Sequence, residues 1–230
     1  MTAIREGAGS IINVAIVDDH PVVLRGLQEI ILRNFAPVNI ALASTGHELL
    51  ELVRNNPFDL IILDLSLPDM DGLDVLGEVK KGKRKTPVLV VSMYPEEEYG
   101  MRVLRSGACG YVTKRAVVNE LVEAARKILS GGKYVSPALA EKILVDFESD
   151  TQKAPHERLS NREFQVMCML GKGKTVREIS ETIHVSTNSV RTYRLRILEK
   201  TGLKRTNELI QYATAHGLGN GESNSLCDKS

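Results

Sequence analysis

Tryptophan is absent and phenylalanine occurs only four times in 230 residues, so a folded core must be built mainly from valine, isoleucine and leucine. Cysteine is scarce too. Cys109, Cys168 and Cys227 are odd in number, scattered, and without a C-x-x-C pair. That argues against a disulfide framework and a structural zinc site, and fits a reducing compartment. No apolar run approaches the roughly 20 residues of a membrane span, and the opening "MTAIREGAGS" lacks the apolar stretch of a signal peptide. A cytoplasmic location is therefore expected. G-x-x-x-x-G-K-[ST] and G-x-G-x-x-G are also missing, so the chain has no nucleotide cradle of either kind.

What is present is unevenly distributed. The formal net charge is +1, yet Asn13 to Lys133 holds 15 basic and 16 acidic residues, whereas Lys172 to Arg205 holds 9 basic and 3 acidic. A short segment of net charge +6 beside a nearly neutral larger one points to a division of labour in which the smaller part meets a polyanion.

The larger part alternates. Strand-like apolar runs stand at "INVAIV" (12–17), "VNIALA" (38–43), "DLIILD" (59–64), "PVLVVS" (87–92) and "CGYV" (109–112). Between them, apolar residues recur at spacings of three and four, as in Val22, Leu24, Leu27, Ile30 and Ile31. Continuous apolar strands alternating with helices predict an α/β fold, a flavodoxin-like doubly wound sheet of five βα repeats with ligands held outside the carboxyl ends of the strands. After "KYVSPALAEKILVDFESD", with one amphipathic segment, the polar "TQKAPHER" (151–158) reads as a linker. Helices alone follow. Ser160–Glu163 and Thr175–Glu178 have capping-box spacing, and Gly202 and Gly217 end the last two helices. These features predict a small all-α, four-helix unit over about 160–217.

Chemistry gathers at one edge of the predicted sheet. Asp18 and Asp19 end the first strand, Asp64 the third and Ser92 the fourth, while Lys114 follows the fifth. Three adjacent carboxylates repel one another and call for a divalent cation, and oxygen ligands favour Mg²⁺. A lysine beside them can neutralise an anion. The set suits phosphoryl transfer to a carboxylate.

On "VDDHP", "LDLSLPDMDG", "VVSMY" and "GACGYVTK", residues 12–131 resemble a response-regulator receiver domain. The resemblance implies Asp64 as phosphoacceptor and a Mg²⁺ site formed by Asp19, Asp64 and the Ser66 carbonyl, with Asp18 in the pocket directly or through water. It also implies Ser92 as switch hydroxyl, Lys114 at the phosphate and Tyr111 as switch aromatic. Arg115 stands where many receivers have proline, which should alter only the local loop. His20 is read as a surface neighbour of the pocket and His184 as a turn residue, neither of them a metal ligand.

"TVREISETIHVSTNSVRTYRLRILEK" reads as two helices joined at His184-Val185-Ser186, the second carrying Arg191, Arg194, Arg196 and Lys200. Arg191 and Arg194 share a face, with Val190, Ile197 and Tyr193 on the packing side. Such a helix–turn–helix lays its second helix in the major groove while nearby cations hold phosphates. Residues 157–217 resemble the LuxR-type DNA-binding domain, and the two halves together are similar to response regulators of the NarL/FixJ type. That likeness implies Asn188, Arg191, Thr192 and Leu195 at the groove, with Lys174, Thr187 and Arg194 near the backbone. Lysine or another polar residue is common where Leu195 stands, and leucine can contact a thymine methyl.

The expected layout is an N-terminal tail (1–11), a receiver (12–131), a linker with one helix (132–155), a DNA-binding domain (156–219) and a disordered tail (220–230). The expected function is a transcription regulator that is no enzyme beyond assisting its own phosphorylation and dephosphorylation. Its expected partners are double-stranded DNA, a cognate histidine kinase or phosphotransfer protein, RNA polymerase and a second copy of the chain when active. Two alternatives remain: the same architecture switched by protein contacts alone, and a metal-dependent phosphatase or phosphotransferase.

Overall fold

A computed structural model describes residues 11–82, 84–148 and 154–218; the expected tails and part of the linker lie almost wholly outside these. Among the described residues no helix is long and apolar enough to cross a membrane. Residues up to 96 and 100–137 form one compact unit, and residues 97–99 with those from 138 onward form a second.

The apolar runs of the first unit become β1 (Ile12–Val17), β2 (Val38–Ala43), β3 (Leu60–Leu63), β4 (Val88–Ser92) and β5 (Gly110–Thr113). All pair in parallel, in the order β2-β1-β3-β4-β5, which is the expected flavodoxin-like sequence of strands. The connecting helices are α1 (Pro21–Asn34), α2 (Gly46–Asn55), α3 (Gly72–Lys81), α4 (Glu96–Arg105) and α5 (Val117–Leu129).

Alternation along each strand explains why the runs are apolar throughout. Val14 and Ile16, Leu60 and Ile62, Leu89 and Val91, and Val112 form one core with Leu27 and Ile31 of α1 and Leu121, Ala124 and Ile128 of α5. The intervening Ala15, Val17, Ile61, Leu63, Val88 and Val90 face the other way and are equally buried. Leu49 of α2 and Leu73, Leu76 and Val79 of α3 are buried as well. On the inner strands both faces are therefore covered, and polar chemistry there is left to the strand ends, whereas the edge strand β2 is partly exposed.

The second unit contains α6 (Pro137–Glu148), a 3-10 turn at Pro155–Arg158, α7 (Asn161–Gly171), α8 (Val176–Thr182), α9 (Thr187–Thr201) and α10 (Thr206–Ala215). Both predicted capping boxes are formed, Ser160 with Glu163 and Thr175 with Glu178. Val190 and Ile197 of α9 are fully buried, as are Ile179 of α8 and Leu209 and Ala213 of α10. Gly202 closes α9 at φ 75°, the left-handed conformation in which a side chain is strained. Within the polar stretch 151–158, Pro155–Arg158 forms a 3-10 turn, in which His156 meets the Tyr212 hydroxyl at 3.0 Å. That partner lies 56 residues away in sequence, so polar composition alone does not show the contact.

Candidate functional site

Strand register assembles the acidic set. Val17 pairs with Leu63, and the Asp64 amide donates to the Val17 carbonyl at 3.0 Å. Asp18 and Asp64, each one residue past its strand, are therefore neighbours. On the next pair Ser92 lies opposite Thr113, and the Lys114 amide donates to the Ser92 carbonyl at 2.8 Å. The predicted residues thus meet at one edge.

Asp18 and Asp64 are buried and Asp19 is half-buried. Lys114 Nζ spans the first two, 2.6 Å from Asp18 Oδ2 and 2.7 Å from Asp64 Oδ2. The contact to Asp64 is a hydrogen bond. The one to Asp18 has the distance of a hydrogen bond without its angle, because Asp18 Oδ2 remains without a hydrogen-bond partner. Asp64 Oδ1 and Asp19 Oδ1 are also enclosed and unpartnered. Burial lifts the Asp64 carboxyl from its ordinary 3.8 to about 6, with Lys114 opposing the rise and Asp18 adding to it. At neutral pH Asp64 is still mostly a carboxylate. Burial pulls Lys114 down, but the Asp64 and Asp18 carboxylates outweigh it and hold the ammonium above its ordinary value.

The donor set suits a hard divalent cation: carboxylate oxygens converge, and three of them, Asp18 Oδ2, Asp19 Oδ1 and Asp64 Oδ1, are enclosed without a hydrogen-bond partner. His20 comes closer than its reading as a surface neighbour suggests. Its side chain is 64% exposed, yet Nδ1 lies 2.5 Å from Asp19 Oδ1 and 3.3 Å from Asp18 Oδ1. Ligand atoms of Asp18, Asp19, His20 and Asp64 all fall within 4.8 Å of one another.

The loop after β3 holds this edge in shape. Ser66 and Asp71 form an antiparallel bridge through a 3.0 Å bond from the Gly72 amide to the Leu65 carbonyl. The Ser66 carbonyl is not consumed by that bond. The nearby Ser66 amide opposes the rise in the Asp64 pKa. A Cβ on Gly72 would sit 2.5 Å from Leu65 Cα and 2.6 Å from the Asp64 carbonyl oxygen, so the loop closes only around glycine. Asp71 caps α3 through the Leu73 amide at 2.8 Å. Asp69 ties the loop to α2, accepting from the Gly46 and His47 amides at 2.8 and 2.9 Å.

Ser92 and Tyr111 are both fully buried. Ser92 Oγ accepts from the Tyr94 amide at 3.3 Å, and Tyr111 Oη donates to the Tyr94 carbonyl at 2.8 Å. Burial raises the Tyr111 hydroxyl well above its ordinary pKa, with a hydrogen bond to Ser92 opposing it. Tyr111 therefore points inward, as a neutral donor.

The second unit carries the predicted helix–turn–helix in α8 and α9. The turn is made by His184 at φ 53° and a bond from the Val185 amide to the Ser180 carbonyl at 3.0 Å. Thr187, Asn188, Arg191, Thr192 and Leu195 are exposed, and the last four follow one helical face at spacings of three and four. Arg191 Nη1 donates to Asn188 Oδ1 at 3.0 Å, and Thr192 Oγ1 to the Asn188 carbonyl at 3.0 Å. Lys174 is half-buried and 3.5 Å from Thr182 Oγ1.

Two basic residues differ from expectation. Arg194 is half-buried with its Nε enclosed and unpartnered, because it lies between the exposed stripe and the packing side that holds Val190 and Ile197. Lys200 pairs with Glu163 of α7 at 2.7 Å and so braces α9 instead of offering a free cation. Glu163 is a residue whose role sequence alone did not show beyond capping. Burial pushes its carboxyl up, but bonds from Lys200 and Ser160 outweigh this and hold it below the usual range.

Comparison with known proteins assigns a family to each of the two units. Residues 14–126 match the family profile of the response regulator receiver domain, and residues 157–213 that of bacterial regulatory proteins, luxR family. The response regulator UvrY of Escherichia coli K12 is 32% identical over 213 residues, covering 92% of this chain and 98% of its own. The response regulator GacA of Pseudomonas aeruginosa is 31% identical over 208 residues, covering 90% and 97%. Among solved structures, RcsB of Salmonella enterica serovar Typhimurium, bound to promoter rprA with phosphomimetic BeF₃⁻, shares the fold. Its TM-score is 0.60 at 24% identity, covering 89% of this chain and 99% of that one. With the two family profiles in this order and likeness along nearly its whole length, the chain belongs to the NarL/FixJ-type response regulators, two-component transcription regulators that couple a receiver to a LuxR-type DNA-binding domain.

Proposed function

We propose that Asp64 accepts a phosphoryl group from a histidine kinase or phosphotransfer protein, and that this modification controls how the exposed face of α9 engages promoter DNA. The carrying observation is the Asp64 carboxylate itself, buried, with Oδ2 on Lys114 at 2.7 Å and Oδ1 without a partner. One oxygen is oriented by a cation, and the other keeps lone pairs for attack. In the transfer, an Asp64 oxygen forms a bond to phosphorus while the phosphorus–nitrogen bond of the donor phosphohistidine breaks in line. The departing imidazole keeps the bonding electron pair and takes a proton from its surroundings.

Asp18, Asp19, Asp64 and the Ser66 carbonyl would hold Mg²⁺, which when bound supplies positive charge to the phosphoryl oxygens. Lys114 and the Ser92 hydroxyl then receive the new anion, and Tyr111 responds through its bond beside Ser92. On DNA, Asn188, Arg191, Thr192 and Leu195 meet base edges while Thr187, Lys174 and Arg194 hold the backbone. One such helix makes few base contacts, so two copies bound to half-sites about one helical turn apart complete the reading. RNA polymerase is the further partner of the DNA-bound form. The test is incubation with Mg²⁺ and a small acyl phosphate, followed by intact-mass measurement. One phosphoryl group should be added, and Asp64→Asn should abolish it. Modification of Asp64→Asn at the wild-type rate would overturn the assignment.

A further inference from the structure

The imidazole of His20 is left over by that reading. It is carried to the mouth of the acidic pocket by the residue directly after Asp18-Asp19, and it sits on the end of α1 without serving it: as N-cap residue its side chain makes no capping bond. Its backbone amide does a separate job, donating to Asp18 Oδ1 at 2.9 Å. The ring is therefore not needed to terminate the helix, and its exposure leaves it free of the core.

Its contact with Asp19 is unusual for a histidine–carboxylate pair. Nδ1 and Asp19 Oδ1 are 2.5 Å apart, yet Asp19 Oδ1 has no hydrogen-bond partner. The distance is that of a strong hydrogen bond but the direction is not. Asp64 Oδ1, in a side chain almost wholly removed from solvent, is likewise unpartnered. Three carboxylates and one imidazole thus bring ligand atoms within 4.8 Å of one another, with lone pairs that hydrogen bonding does not absorb. Oxygen ligands alone suit Mg²⁺, which keeps several waters and takes nitrogen poorly. Imidazole is taken up by the first-row divalent ions in the order Mn²⁺ < Co²⁺ < Ni²⁺, and by Mn²⁺, the weakest of them, still better than by Mg²⁺.

Resting on the phosphoacceptor reading of this pocket, we infer that His20 is a nitrogen ligand to the cation bound there, and that it tilts the site from Mg²⁺ toward first-row transition ions. His20 acts as a specificity-determining ligand: it does not create the site, which the carboxylates provide, but it adds a donor that only the softer ions use well. Its exposed position means the ring can swing from its place beside Asp19 onto an entering ion without disturbing the sheet.

The test uses the full-length protein with Mn²⁺ alone, in the absence of any phosphoryl donor. Because the chain has no tryptophan, binding is followed by calorimetry, and the ligands are identified by pulsed electron paramagnetic resonance on protein carrying ¹⁵N-labelled histidine. The expected result is a directly coordinated imidazole nitrogen in the wild type that disappears in His20→Ala. In parallel, His20→Ala should weaken Mn²⁺ by about tenfold while moving Mg²⁺ by less than about twofold. His20→Asn, which restores a polar but weaker donor, should behave like the alanine variant in the nitrogen signal. Mn²⁺ held with oxygen ligands only, or a nitrogen signal that persists in His20→Ala, overturns the inference and leaves the phosphoacceptor reading intact. Failure of both Mn²⁺ and Mg²⁺ to bind the wild type would instead remove the cation site on which both rest.

Discussion

Replacing Asp64 by asparagine should make the folded protein more stable while removing its phosphorylation. In the fold, burial raises the Asp64 carboxyl from 3.8 to about 6. A folded-state value above the unfolded one means that the folded state binds the extra proton. Stability from this group is therefore complete below about pH 4 and is lost as pH rises through about 6. A shift of about two units corresponds to about 3 kcal/mol lost at neutral pH. Asparagine does not carry that burden. It gives up the 2.7 Å bond from Lys114, but Lys114 keeps Asp18 Oδ2 at 2.6 Å, so the net gain at pH 7.5 should be about 1–3 kcal/mol. The assay is urea unfolding of wild type and Asp64→Asn at pH 4.5 and 7.5, following β3 and β4 amides by NMR so that only the first unit is scored. Adding Mg²⁺ should narrow the difference at pH 7.5 by stabilising the wild type more than the variant. A variant less stable than wild type at pH 7.5, or a difference of equal size at both pH values, would refute this account of the pocket.

Three further outcomes are expected. Gly72→Ala should cost about 1–3 kcal/mol or more, since its Cβ meets backbone at 2.5 Å; it should also slow acyl-phosphate labelling of Asp64, read by intact mass. Glu163→Gln should destabilise the second unit by about 1–3 kcal/mol, discounted for the partial exposure of Lys200. The Glu163 contribution, from a carboxyl held low, is present above pH 4.5 and disappears as pH falls through its folded value, which thermal melts across pH 3–7 would show by losing the difference between variant and wild type at the acid end. Arg191→Ala should cost about 1–3 kcal/mol on the preferred DNA site and relax specificity at one position, whereas Lys174→Ala should weaken all sequences evenly and flatten the salt dependence, as measured by titration of matched and scrambled duplexes.

The sheet and its acidic edge could be anticipated because their signals are local. Continuous valine, isoleucine and leucine announces a strand buried on both faces, and the first polar residue after it marks where the edge begins. Asp18, Asp64, Ser92 and Lys114 needed only the assumption that successive strands run parallel. Pairings that span the chain carry no such mark. Lys200 looked like one cation among many on a basic helix, and its commitment to Glu163 depends on how α7 crosses α9. The half-burial of Arg194 depends on the rotation of α9 by a fraction of a turn, which spacing fixes only loosely. The 3-10 turn at Pro155–Arg158 has linker composition, and its contacts with Tyr212 and Phe164 through His156 are not visible in the local sequence. His20 is adjacent in sequence to two ligands, but adjacency does not tell whether a ring turns toward them.

Tyr94 is gripped from two sides, its amide by the Ser92 hydroxyl and its carbonyl by the Tyr111 hydroxyl. Ser92 and Tyr111 are therefore not separate gauges of the pocket. An anion that draws the Ser92 side chain away takes the acceptor from the Tyr94 amide, and the shift of Tyr94 that follows misaligns its carbonyl, on the next peptide, from Tyr111. Half-switched states, with one grip open and the other closed, leave a polar group stranded in a dry place and should be scarce. With Asp64 as the phosphoacceptor proposed above, the pair would act as a latch with two tongues on one bolt, turning a graded chemical load at Asp64 into an all-or-none output at the β4–α4 loop.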